Sequence, residues 1–204
     1  MSSTAHETKT QRILIVLIAV QAGILAIMFS GDPSRVPVYL GFAPGLHGTL
    51  LAWTLAAIVT VTYVWSASKI SDVRRYLFRL DRLKIIAVIA AALASIIEEV
   101  VCRKLVMDFL HARGFGNIGQ VVASAVAFGV IHVFWGIKSI AAAVNAVLST
   151  TILGAALAII YIVGDRSLAP CVVAHGLISG LIEPGLMIAA VSDRLGVWRE
   201  KPAN

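Results

Sequence analysis

The stretch SIIEEVVCRKL, Ser95 to Leu105, sets two glutamates, an arginine and a lysine inside an otherwise apolar run. Asp108, His132, Asn145, His175, Ser179 and Glu183 stand in similarly apolar surroundings. A charged side chain at the centre of a bilayer costs at least ~2.5–3.5 kcal/mol on insertion scales, so such groups pair with one another or line a cavity. A purely structural bundle has little reason to carry this many of them. Carboxylates and imidazoles gathered in one pocket are the groups that general acid–base chemistry uses.

Spacing narrows the roles. Glu99 and Arg103 are i and i+4, so they share a helix face and can pair. Glu98 points about 100° away and is left without that partner. Phe128 and His132 repeat the four-residue step, which lets the phenyl ring wall one side of the imidazole. His175 and Ser179 repeat it again, so both can aim at one point. Gly176 and Gly180 form a G-x-x-x-G on a neighbouring face, where another helix can come close. Glu183, two turns beyond His175 and just before Pro184, either lines the same cavity or sits near the far interface. Other readings stand beside these. Glu98, Glu99, Arg103 and Lys104 could form a structural ion-pair cluster. Two carboxylates and two histidines could hold zinc, although the H-E-x-x-H spacing is absent. Cys102, beside Arg103, could be an activated thiol. Both Cys102 and Cys171 lie in apolar segments, where a cysteine acts as a small buried hydrophobe.

The elements that must position these groups follow from the apolar blocks. We expect spans over Ile13 to Phe29, Gly48 to Ala67, Ile85 to about His111, Gly119 to Ile137, Ile140 to Val163 and Pro170 to Val191. No small-x-small cleavage pattern follows the first block, so it reads as an uncleaved anchor. Between the second and third spans, Ser68 to Lys84 reads as a basic interfacial helix. Ile70, Val73, Leu77 and Leu80 form its apolar side, with Arg74, Arg75, Arg79 and Arg82 on other faces. At 1.5 Å per residue, Glu98 and His132 each lie ~20 Å from opposite ends of their helices, and His175 and Ser179 roughly 8–14 Å into theirs. Within ~30 Å of hydrocarbon, and with tilt, the groups can meet in one layer.

Composition agrees. Of 204 residues, 59% are hydrophobic and 14% charged, with a net charge of +6. An average globular chain is about 45–50% apolar and about 25% charged. The fold class is therefore all-α, a polytopic membrane protein with about six transmembrane helices and an interfacial basic helix. Its expected parts are 1–84 (tail, two spans and basic helix), 85–191 (core) and 192–204 (polar tail). The positive charge clusters beside spans, which argues for contact with a lipid bilayer and not with nucleic acid. Lys9, Arg12, the basic residues between Lys69 and Lys84, Lys138, Arg194, Arg199 and Lys201 fall on one side of a six-span chain. Arg35, Arg113 and Arg166 fall on the other. That imbalance implies an N-in, C-in orientation.

Three motifs in this order resemble one family. EEVVCR, Glu98 to Arg103, matches E-E-x-x-x-R; FGVIH, Phe128 to His132, matches F-x-x-x-H; HGLIS, His175 to Ser179, stands where H-x-x-x-N or a close variant is expected. The set resembles the CAAX protease and bacteriocin-processing (Abi) family of glutamic-type intramembrane proteases. The resemblance covers about Ile85 to Val191. It implies a metal-independent endopeptidase with no cofactor, acting on a peptide or membrane-protein substrate in a bacterial inner membrane. It also implies that Glu98 and His132 activate a water, that His175 and Ser179 stabilise the oxyanion, and that Glu99 and Arg103 hold the first pair in position. Ser179 replaces the family's usual Asn, and Asn145 is a candidate for supplying the amide. Two other functions remain open at this level. One is a catalytically inactive relative acting as a membrane immunity or scaffold protein. The other is a small transporter, for which the paired broken segments typical of transporter repeats are absent.

Overall fold

A computed structural model describes residues 3–136, 139–192 and 194. The described residues are helical, with no strand among them. Six helices are long and apolar enough to cross a bilayer: Ala5–Met28, Leu50–Ala67, Arg82–Ala112, Asn117–Trp135, Ile140–Val163 and Ala169–Val191. The chain is an integral membrane protein of the all-α class. In order, the α-helices are α1 (Ser3–Met28), the short α2 (Val36–Tyr39), α3 (Leu50–Ala67), α4 (Ser71–Tyr76), α5 (Arg82–Glu99), α6 (Asp108–Ala112), α7 (Asn117–Val130), α8 (Ile140–Val163) and α9 (Ala169–Val191). A π-helical segment, Val100–Met107, joins α5 to α6, and a 3-10 turn, Ile131–Gly136, extends α7. Lys138, Arg199 and Lys201, and nearly all of the polar tail, lie outside the described residues.

Several boundaries differ from the sequence expectation, the first helix starting at Ser3 and not at Ile13. The third span begins at Arg82, not Ile85, because Asp81 caps it: its Oδ1 accepts from the Lys84 N–H at 2.9 Å. The basic segment is correspondingly not one interfacial helix from Ser68 to Lys84. Within it Ser71–Tyr76 forms a short separate helix, and Arg82–Lys84 already belong to the third span. Val73 and Leu77 are buried against the protein, whereas Ile70 and Leu80 are exposed. The reason is tertiary: α4 runs under α9 and packs its apolar residues there.

Helix α9 is the axis of the bundle. It packs along α5, touches α3, and rests on α4. Small residues set the closeness of these contacts. A Cβ on Gly176 would lie 3.2 Å from the Ser95 hydroxyl, and one on Gly180 would lie 3.4 Å from Val88. The helix admitted by the G-x-x-x-G is thus α5, the one that carries the two glutamates. Gly185 is tighter still. A Cβ there would stand 2.6 Å from both the Asp72 carbonyl oxygen and the Val73 nitrogen. Helices α7 and α8 form the second long pair.

Pro184 has no N–H, so it leaves the Gly180 carbonyl of α9 without its helical partner. Lys84 fills that gap from α5: its Nζ donates to Gly180 O at 3.2 Å and to Leu181 O at 2.9 Å. At the same end of the bundle, Glu7 accepts from Tyr76 at 2.5 Å and pairs with Arg79 at 3.0 Å. Burial, and then the adjacent Glu7 carboxylate, holds the Tyr76 phenol above its usual pKa, so it remains a donor. Arg194 grips Asp72 with two bonds of 2.9 and 3.0 Å. The start of α1, the helix α4 and Arg194, three residues past the end of α9, are thereby tied together. At the opposite end, the Thr49 hydroxyl donates to Val163 O and the Ser167 hydroxyl to Leu46 O.

The Gly185 contact gives a direct test. Gly185→Val should lower the thermal midpoint of the purified protein in detergent, because α4 must move, at a typical overpacking cost of about 1–3 kcal/mol. Gly23→Val, where a Cβ meets nothing within 4 Å, should leave the midpoint unchanged.

Candidate active site

Buried ionic chemistry in this bundle starts with Arg103. It is fully buried, and the largest such side chain among the described residues. Glu99, one turn earlier, is equally inaccessible, and the two pair: Arg103 Nε lies 2.9 Å from Glu99 Oε2 and Nη2 lies 3.4 Å from Oε1. Desolvating two ions is expensive, and the pair persists only where further hydrogen bonds complete it. Those bonds are present. Arg103 Nη1 donates to the Ser124 hydroxyl on α7 at 2.6 Å, and Ser124 donates in turn to the Cys102 carbonyl at 3.0 Å. The guanidinium also lies 5.2 Å from the centre of the Phe128 ring.

Glu99 has a third partner. Its Oε1 accepts from His175 Nδ1 of α9 at 2.9 Å. A carboxylate paired with Arg103 can only accept, so the proton of that bond belongs to Nδ1. This orients the His175 ring and turns Nε2 toward Glu98, 3.9 Å from its Oε2. His132 approaches from the other side. Its Nδ1 donates to the Phe128 carbonyl at 2.7 Å, which turns its Nε2 toward the same Glu98 oxygen at 3.7 Å. Phe128 lies under both imidazoles, with ring centres 4.8 Å from His132 and 5.2 Å from His175.

The arrangement has a chemical consequence. With both Nδ1 positions donating to fixed acceptors, a neutral imidazole presents an unprotonated Nε2. Glu98 Oε2 is buried and has no hydrogen-bond partner. Three acceptors therefore face one another across gaps too long for direct hydrogen bonds. Only a proton or a donor such as water, seated among them, satisfies the set. Among the described residues, no three His, Cys, Asp or Glu side chains are placed to share a metal ion.

Glu98, Glu99, Arg103, Phe128, His132 and His175 come together. Glu99 and Arg103, however, bond to His175 and Ser124 and not to Glu98 or His132, the pair they were expected to hold. The i, i+4 geometry that binds Glu99 to Arg103 points both away from Glu98. Ser179 is half-buried one turn below His175 and makes no hydrogen bond with the described residues. Asn145 is half-buried on α8 and likewise makes none. Lys104 does not join a cluster with Glu98 and Glu99. Its ammonium turns to Asp108 at 3.8 Å and to the Arg166 carbonyl at 3.3 Å. Cys102 and Cys171 are buried free thiols. Burial of Cys171 is closed by a contact from its Sγ to the Leu157 carbonyl at 3.3 Å.

Two features escaped the sequence reading. Ser124 completes the Arg103 site, and its signal was present: Ser124, Phe128 and His132 follow one another at four-residue steps. The second feature is a polar clamp beyond the π-helical segment. Arg166 donates to Asp108 at 2.8 Å and to Gln120 at 3.1 Å, and Tyr161 donates to Asp108 at 3.0 Å. Arg166 and its neighbour Asp165 adopt left-handed backbone conformations, with φ of 60° and 54°, to make the turn that aims this side chain. That conformation has no signature in the residue types.

Arg103→Met should destabilise the protein by about 3–5 kcal/mol, since it leaves Glu99 buried with its charge uncompensated by the guanidinium. Combining it with Glu99→Gln should restore most of that loss in thermal unfolding, a coupling that an additive effect would not produce.

Residues 81–181 match the Rce1-like family described as type II CAAX prenyl endopeptidase Rce1-like. No curated protein and no solved structure matches the chain. The matched stretch contains Glu98, Glu99, Arg103, Ser124, Phe128, His132 and His175, the whole of the buried cluster. Over residues 81–181, the chain carries a domain of the Rce1-like type II CAAX prenyl endopeptidase family.

Proposed function

We propose that the protein is a glutamic-type intramembrane endopeptidase that hydrolyses a membrane-proximal peptide bond with a water activated by Glu98 and His132. The observation that carries this reading is the approach of two imidazole Nε2 atoms to one Glu98 oxygen, at 3.7 and 3.9 Å. A water there donates one O–H to Glu98 Oε2 and the other to His132 Nε2, leaving a lone pair for attack.

Glu98 takes a proton as the water oxygen bonds to the scissile carbonyl carbon, and the carbonyl electrons move to oxygen. His175 in its imidazolium form, with Nδ1–H held by Glu99, offers Nε2–H to that oxyanion. This form also balances the charge, since two carboxylates then face one guanidinium and one imidazolium. Ser179, on the same face of α9, offers a hydroxyl as the second donor. Glu98 then returns its proton to the departing nitrogen as the C–N bond breaks. Glu99, Arg103 and Ser124 are positioning residues that act through His175.

The substrate class is a leader, a C-terminal sorting or lipid-modified tail, or a segment of another membrane protein. The family's description as prenyl endopeptidases favours the lipid-modified tail. The end of the bundle that carries Lys9, Arg12, Arg74, Arg75 and Arg79 faces the cytoplasm of a bacterial inner membrane on this reading. A second reading, an inactive relative that serves as an immunity or scaffold protein, draws on Ser179 standing without a hydrogen bond in place of an amide.

Mass spectrometry of membrane-protein termini from cells carrying wild type, Glu98→Gln or His132→Ala separates the two. The peptidase reading expects termini that vanish in both variants while each protein remains folded in the membrane. Termini that persist in both would sink it, and a phenotype retained by Glu98→Gln would favour the scaffold. On an identified substrate, Ser179→Ala should lower kcat by about 10²-fold, the usual effect of losing one oxyanion donor, with little change in KM.

A further inference from the structure

Glu183 is a carboxyl that the mechanism above does not use. It follows His175 and Ser179 at four-residue steps, so the three form one stripe down α9. That stripe puts Glu183 on the face of α9 from which His175 turns its Nε2 toward Glu98. Its Oε2 is buried and has no hydrogen-bond partner. Lys84, which reaches α9 from α5, has its ammonium engaged by the Gly180 and Leu181 carbonyls. No ion pair joins Glu183 to any cation among the described residues.

An unpaired carboxyl in apolar surroundings is costly, and a cation brought by an occupant of the cavity removes that cost. We propose that Glu183 determines substrate specificity by receiving a basic side chain of the peptide, lysine or arginine, close to the scissile bond. This rests on the proteolytic reading of the Glu98 site. Helical rise puts Glu183 ~6 Å beyond Ser179 and ~12 Å beyond His175. An extended peptide advances ~3.3 Å per residue. The basic residue therefore lies about two to four positions from the bond that is cut. It lies on the side of the cavity toward α4. An acidic side chain at that position is excluded by the same carboxyl and by Glu98 behind it.

The test uses the full-length protein in lipid vesicles and synthetic peptides anchored by an N-terminal palmitoyl group. Their alanine–leucine sequence carries one lysine, moved one position at a time, and an all-neutral peptide serves as reference. Wild type should cut two to four residues from the lysine, at least about tenfold faster than it cuts the neutral peptide, as a charged hydrogen bond allows. Glu183→Gln should bring that ratio to within about twofold of unity, and Glu183→Lys should transfer the preference to peptides carrying glutamate. Binding of the same peptides to Glu98→Gln protein is measured in parallel by fluorescence anisotropy. Cleavage that ignores the lysine, or a preference that survives Glu183→Gln, overturns the inference and leaves the peptidase reading intact. Lysine-dependent binding that is lost on adding Glu183→Gln, with no cleavage by wild type, supports the inference as a binding property and removes the peptidase. Neither binding nor cleavage removes both.

Discussion

The Glu99 carboxylate, buried with no exposed surface, constrains everything around it. A charge in that position has to be paired, because breaking a buried pair costs several kcal/mol. Arg103 supplies the opposite charge and His175 the remaining donor. Those two bonds fix three elements relative to one another: the π-helical segment, α9, and, through Ser124, α7. The orientation of both imidazoles follows. His175 is turned by Glu99 and His132 by the Phe128 carbonyl, so that each Nε2 looks at Glu98. The reactive arrangement is thus set by groups one bond removed from it.

A bilayer adds the requirement that backbone polar groups be satisfied within the protein. Two departures from regular α-helix flank the cluster, and each is completed by a side chain from a neighbouring helix. The π-helical stretch follows Glu98 and Glu99 directly, and the Cys102 carbonyl there accepts from Ser124. On α9, Pro184 frees the Gly180 carbonyl, which accepts from Lys84. Close helix approach makes both completions possible. The glycines at 176 and 180 bring α5 against α9, and without that contact neither Lys84 nor Glu98 would reach its place.

Much of this was legible in the residues. The six spans are written in long apolar blocks, and the pairing of Glu99 with Arg103 in their four-residue step. The convergence of Glu98, His132 and His175 followed from their depth in separate helices. What was not legible has physical causes. The basic segment looked interfacial because an apolar stripe says that a face is buried, not whether lipid or protein covers it; here α9 covers Val73 and Leu77. The partner of the Glu99–Arg103 pair was misassigned because helical spacing fixes which way a side chain leaves its own helix and not which neighbour it meets. Asp108, Arg166 and Gln120 come together only because two consecutive residues take left-handed conformations, which tertiary contacts impose on unremarkable residue types.

The π-helical run from Val100 to Met107 also bears on how this chain tolerates change in length. Helical turns of that wider kind hold a surplus residue relative to an α-helix. Deleting one would let the run relax to ordinary geometry with the two ends of the third span still in phase. Glu98 upstream and Asp108 downstream would keep their bearings. A regular α-helix losing one residue would instead turn everything beyond it by about 100°, so this stretch absorbs a one-residue loss that the rest of the span could not.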